Sequence, residues 1–151
     1  MKNLKNKTAA AWLAFLGGPL GLHRFYLHGR GDLWGWGLPI PSALGLYGLQ
    51  RVQKFGQDDF LSWVLIPLLG FTVAACALTA IVYGLMPPEK WNARHNPSAA
   101  NDAPAGATGW LTVGAVVLSL LIGTTVLMAS IVFSFQRYFE YQIGEGRKLS
   151  Q

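Results

Sequence analysis

The sequence predicts an all-α membrane protein, with four transmembrane helices arranged as two antiparallel helical hairpins. Three observations carry that expectation. Residues 60–86 and residues 109–136 contain no Asp, Glu, Lys or Arg. Hydrophobic residues make up 52% of the 151-residue chain and charged residues only 13%, about half the charged share of ordinary soluble domains. Two further apolar segments, at residues 8–22 and 33–49, precede the long uncharged ones.

The first segment follows a basic head, MKNLKNK, as in a signal peptide. No small-residue cleavage site follows its apolar run, so it reads as an uncleaved first span. It ends in Gly17, Gly18, Pro19 and Gly21. The second segment carries Gly35, Gly37, Pro39, Pro41, Gly45 and Gly48. In water such residues argue against helix. In a bilayer they are tolerated where neighbours satisfy the freed backbone groups. Both segments are short, and a re-entrant path through the membrane fits them as well as a full crossing.

A polar connector, RVQKFGQDD at residues 51–59, leads into the third span. That run and the fourth are each about 27 residues, roughly 40 Å as helix, where about 20 residues cross the hydrocarbon. Pro67 and Gly70 predict a kink in the third span, and Pro87 and Pro88 end it. Residues 89–108 are rich in Ala, Pro and Asn and show no apolar period, so they are expected to be solvated and flexible. The tail after residue 136 is expected to stay helical to about Tyr141 and then fray. The chain thus divides into residues 1–59, a hairpin with its connecting loop, and residues 60–151. The second unit is a hairpin with a polar loop at 87–108 and a cytoplasmic tail.

The net charge of +5 invites a nucleic-acid reading. The basic residues flank apolar spans instead of forming one face, which marks membrane orientation; no nucleic-acid partner is expected. With four spans, eight Lys and Arg fall on the side of the termini and four on the other. The positive-inside rule then places both termini in the cytoplasm, in a multi-pass protein of the cell inner membrane. Trp12, Trp34, Trp63 and Trp110 stand near the ends of apolar runs, where an indole anchors at the interface.

Chemistry concentrates in residues 16–32, LGGPLGLHRFYLHGRGD. His23, Arg24, Phe25, Tyr26, His28, Arg30 and Asp32 crowd against the membrane edge, where ionisable groups are costly to keep. Guanidinium grips phosphate or carboxylate bidentately. Arg24 therefore either pairs with Asp32, Asp58 or Asp59 and locks two short helices, or holds a lipid phosphate or an anionic peptide. A titrating His23 or His28 is a third use. Gly17 and Gly21 form a GxxxG suited to close helix approach, and they also lead into the HRFY turn. Thr72, Thr79, Ser119, Thr124, Thr125 and Ser130 are expected to join helices by hydrogen bonds.

The Gly-rich turn, HRFY, the following Gly and the second apolar segment resemble the TM2-domain family over about residues 5–59, best in AFLGGPLGLHRFYLHGRGDLWGW. The resemblance implies two helices joined by a short loop that carries the signature, in a family whose biochemical activity is mostly undefined. Pro19 stands where such sequences usually have an apolar residue, and His28 precedes Gly29 where Gly commonly follows Tyr-Leu. Residues 60–135 lie outside the resemblance.

No HExxH, GxSxG, Walker loop or GxGxxG with its acid occurs, so neither catalytic residues nor a cofactor are expected. Cys76 is alone, and no Cys/His set has metal-ligand spacing. The expected function is a non-enzymatic interaction or scaffold module acting through the HRFY loop. Its partners are the bilayer, and anionic headgroups or another membrane protein, with self-association open. A small oligomeric transporter or channel is the alternative, and an immunity-type protein against a membrane-active toxin is a further one.

Overall fold

The computed structural model describes residues 4–99 and 103–150. Among them the protein is all-helical: α1 (Lys7–Gly17), α2 (Leu22–His28), α3 (Leu33–Gly37), α4 (Pro39–Phe55), α5 (Phe60–Leu85), α6 (Pro88–His95) and α7 (Trp110–Leu149). Short 3-10 turns cover Gly18–Leu20 and Pro104–Gly106. Two helices, α5 and α7, are long and apolar enough to cross a membrane.

These two run antiparallel and pack through small residues. A Cβ added to Gly84 would meet Val116, one on Gly123 would meet Ala77, and one on Gly70 would meet Ser130. Close backbone approach of this kind is how apolar helices associate without a hydrophobic driving force. The expected interhelical hydroxyl bonds are not what holds them. Thr72, Thr79, Thr124, Thr125 and Ser130 each donate to the carbonyl four residues back on their own helix, and the buried Ser119 Oγ has no partner among the described residues.

Four helices of spanning length are not shown, and α1 does not run the length of α5. It has 11 residues, about 16 Å. It starts at the far end of the α5–α7 pair: Lys7 Nζ donates to Met86 O at 3.0 Å and to Thr108 Oγ1 at 2.5 Å. It stops at Gly18, against Cys76 partway along α5. Pro19 sits at the start of the 3-10 turn, and Gly21 takes a left-handed φ of 74° that reverses the chain. α2 then returns to the end where α1 began, where Tyr26 Oη accepts from the Asn6 amide at 2.8 Å. The first apolar segment and HRFY thus form a short helical V.

The second segment does run the full length. Ser42 Oγ donates to Pro19 O at the tip of the V. Gly45 lies against Leu69, Gly48 against Leu65 and Ile66, and Arg51 reaches Asp59. Lys5 and Lys7 consequently sit at the opposite end of the bundle from Arg137, which lies by Trp63 and Gln57.

The expectation of a solvated loop at residues 89–108 does not hold for its described residues, 89–99 and 103–108; residues 100–102 lie outside the described part. Trp91 is fully buried against Ala10 and Met86, with Tyr26, Leu27 and Tyr83 around it. Its Nε1 donates to Lys5 O at 2.8 Å. Asn96 closes the clamp by accepting from the Lys5 amide at 2.7 Å and donating to Lys5 O at 3.1 Å. Asn92 Nδ2 reaches Ala103 O. α6 therefore caps the open end of the V. The tail does not fray at Tyr141: α7 continues to Leu149, with Arg137–Glu140 and Lys148–Glu145 pairs one turn apart along it.

Candidate functional site

The HRFY residues lie on a helix, α2, not in a loop. Gly21 opens it, and a Cβ there would meet Gly35 O at 2.1 Å. Gly17 leaves room for Leu22, whose Cδ1 would lie 2.5 Å from an added Cβ. Both glycines serve the turn, and Gly21 also admits α3; neither pairs two long helices. Gly29, φ 86°, ends α2, and its amide donates to Phe25 O at 2.9 Å. Three residues later Asp32, in extended conformation, starts α3.

Across this corner Arg24 forks onto Asp32: Nε donates to Oδ2 and Nη2 to Oδ1 at 3.2 Å. Of the acids considered for Arg24, Asp32 takes it. The pair is partly sheltered, with the two side chains 28% and 12% exposed. The hydrogen bond to Asp32 raises the affinity of Arg24 for its proton. The same bond holds the Asp32 carboxyl below the usual carboxylate range. Phe25 stacks obliquely on Trp36, ring centroids 5.2 Å apart, and fills the space beside Gly35. Tyr26 is bound twice, its backbone oxygen accepting from Lys5 Nζ at 2.6 Å and its ring lying under the same ammonium.

His23 points inward and is 4% exposed. Its Nδ1 has no hydrogen-bond partner among the described residues. Burial first, then the neighbouring Arg24 and His28 charges, push its pKa down to about 4, so the imidazole is neutral at pH 7. It lies 6.2 Å from the Tyr83 ring, which leads on to Trp91 at 5.7 Å and to His95 at 6.4 Å. Burial likewise lowers the His95 pKa, with Arg94 and His28 adding to the effect. A cavity of about 150 Å³ opens between α2, α3 and α5, lined by His23, Arg24, Trp34, Cys76, Thr79 and Tyr83, among others.

The remaining signature residues face outward. His28 and Arg30 are exposed, and the Arg30 carbonyl accepts from Trp36 Nε1 at 3.0 Å. Trp34 and Trp36 are 76% and 61% exposed beside them. Sequence reasoning missed the partners that close the site: Lys5, Tyr83, Trp91 and His95. A lone Trp in a polar Pro/Asn-rich stretch was the available signal for Trp91. Among the described residues no group of three or more His, Cys, Asp or Glu is placed to hold a metal ion.

Comparison with protein-family models, curated proteins and solved structures finds no match to this chain. The resemblance to the TM2-domain family rests on the residues quoted for it.

Proposed function

We propose that this chain is a multi-pass protein of an inner membrane, in which the signature corner is a non-enzymatic interaction element at one membrane surface. The observation that carries the reading is the exposure of the apolar faces. In the most hydrophobic windows of α5 and α7 only 28% and 11% of residues are buried, which suits a chain whose solvent is hydrocarbon. The α3–α4 segment adds an exposed row of Leu33, Trp34, Trp36, Ile40, Leu44, Leu46, Tyr47 and Leu49. At 23 residues, with the break at Leu38, it is about 34 Å long, enough for a crossing.

The chain then crosses three times, through α3–α4, α5 and α7, and α1–α2 is a re-entrant V. The amino- and carboxyl-terminal segments lie on opposite sides. Lys5, Lys7, Arg24, Arg30, Lys90 and Arg94 share one side, and Arg51, Lys54, Arg137, Arg147 and Lys148 the other. With Lys2 counted beside Lys5 by sequence, seven against five narrows the eight-to-four margin that a first crossing by residues 8–22 implied.

A channel reading finds less support. The groove between α5 and α7 is lined by Phe71, Leu78, Ile81, Leu120 and Leu127, with Ser119 and Thr124 as its polar side chains. No ionisable group faces it, whereas coupled transport keeps one at mid-membrane.

Single cysteines at Leu4 and Gly144, exposed positions on the two terminal segments, test the arrangement with a membrane-impermeant maleimide on sealed vesicles. Each is expected to react from a different side, while the buried Cys76 stays silent. Reaction of both from one side would restore a full first crossing. Co-purification from membranes, wild type against Arg30→Ala, tests the interaction role; identical sets of retained lipid and protein would refute it.

A further inference from the structure

The Arg51–Asp59 pair at the other end of α4 is built like the signature corner. Residues 18–36 and 45–63 agree at seven positions 27 residues apart: Gly18/Gly45, Gly21/Gly48, Leu22/Leu49, Arg24/Arg51, Gly29/Gly56, Asp32/Asp59 and Trp36/Trp63. The turn, the guanidinium–carboxylate fork and the indole bond repeat, although Asp59 also accepts from Ser62 and Asp32 makes no such cap bond. Gly56 has φ 83° against 86° for Gly29. Its amide donates to Val52 O at 2.9 Å, as that of Gly29 does to Phe25 O. Asp59 starts α5 in extended conformation, as Asp32 starts α3. Arg51 Nε donates to Asp59 Oδ2 at 2.8 Å and Nη2 to Oδ1 at 2.7 Å, the same fork as Arg24 on Asp32. Trp63 Nε1 donates to Gln57 O at 2.9 Å, as Trp36 Nε1 does to Arg30 O at 3.0 Å.

The two corners share no hydrogen bond among the described residues and lie at opposite ends of the α3–α4 segment. What they share is therefore what a helix–corner–helix at this position needs. A glycine with positive φ and extended ψ, a conformation open essentially to glycine alone, ends one helix, the aspartate starts the next, arginine ties the two, and the indole closes the turn over the peptide after the glycine. What they do not share is left for function. Where the first corner has His28 and Arg30, the second has Phe55 and Gln57. Phe55 lies under Arg51 at 4.8 Å, a packing role. His28 and Arg30 are exposed, and among the described residues no acid pairs with the Arg30 side chain.

We propose that the protein carries one interfacial corner twice, with Arg24, Gly29, Asp32 and Trp36 as its framework, and that His28 and Arg30 are the recognition residues, binding the phosphate of an anionic lipid headgroup. A free guanidinium flanked by two exposed indoles at a membrane boundary has the chemistry for that ligand. The proposal rests on the corner being a surface element of a membrane protein, the reading that vesicle labelling tests separately.

The test has two arms on the full chain. In the first, thermal midpoints in detergent are measured for Arg24→Lys, Arg51→Lys, Trp36→Phe and Trp63→Phe. Each is expected to fall by several degrees, because a lysine cannot make the fork. A drop at the first corner with none at the second would overturn the equivalence. In the second, the protein is reconstituted in equimolar phosphatidylglycerol and phosphatidylcholine, repurified, and its retained lipid counted. His28→Phe with Arg30→Gln is expected to lower the phosphatidylglycerol to phosphatidylcholine ratio severalfold at an unchanged midpoint. Adding Phe55→His and Gln57→Arg to that background is expected to restore it at the other corner. An unchanged ratio in the first variant, or no recovery in the second, would overturn the division of roles. Excess inorganic phosphate is expected to leave the wild-type ratio unchanged; displacement of the lipid by it would overturn the lipid assignment. These results read against the proposal alone when the vesicle labelling has placed the termini on opposite sides.

Discussion

The V of α1–α2 and the pair α5–α7 are held together by different means. The V is short, and its contacts are polar and specific: Lys5 and Lys7 on carbonyls, Trp91 Nε1 and Asn96 on Lys5, Arg24 on Asp32. The pair is long, and it is held by glycine and alanine against side chains, with hydroxyls such as those of Thr72 and Ser130 bonded within their own helices. A half-length hairpin exposes helix ends and turn peptides that need partners. Full-length helices satisfy their own backbone and need only shape. The V and its cap are thus where single substitutions act most strongly.

The sharpest way to break that contrast is Trp91→Ala. Trp91 is 0% exposed and its indole ties Lys5 to the cap. Its loss is expected to cost about 3–5 kcal/mol, read as a fall in thermal midpoint in detergent, with residues before Gly29 becoming protease-sensitive first. Uniform loss of protection along α5 and α7 would show that the cap holds the pair as well.

Gly21→Ala comes next. The φ of 74° disfavours any side chain, and the Gly35 carbonyl lies in the way. A destabilisation of about 2–3 kcal/mol is expected. Gly31→Ala, where an added Cβ meets nothing within 4 Å, is the control and is expected to be neutral.

Acidification sharpens the comparison without mutation. His23 binds its proton more weakly folded than unfolded, with a folded pKa of about 4 against 6.5. The unfolded chain therefore takes up the proton first as pH falls. Stability is complete above about pH 6.5 and declines toward pH 4, by about 3 kcal/mol for this group. The lowered His95 adds in the same direction. His23→Leu is expected to flatten the midpoint between pH 6.5 and 4. An unchanged slope would mean that His23 binds its proton equally well in the folded and unfolded chain.

Ser119→Ala carries the smallest effect and the opposite sign. The Ser119 hydroxyl is buried in the α5–α7 interface without a partner. Its removal is expected to be neutral or to raise stability by up to about 1 kcal/mol. A clear loss would show a polar contact in the pair that shape alone does not provide.

The long helices were legible because two uncharged runs of that length have one economical environment. The Arg24–Asp32 pair was legible as one of three candidate pairings, since both residues sit within a turn of each other's helix. The direction of the chain after Gly17 was not. Three glycines and a proline announce a break, but whether the chain then continues or reverses depends on the left-handed φ of Gly21. Nor was α6 readable as a cap, because the carbonyl that receives Trp91 lies 86 residues earlier. Helical continuation to Leu149 comes from charge pairs three residues apart, which a tail rich in Gly, Glu and Arg conceals.

Lys7 Nζ finds its acceptors in Met86 and Thr108, the latter 101 positions further on. A ribosome making this protein delivers the ammonium long before the groups that receive it. Until the chain has been made as far as Thr108, Lys7 does not have both acceptors, so its segment is seated after parts made later.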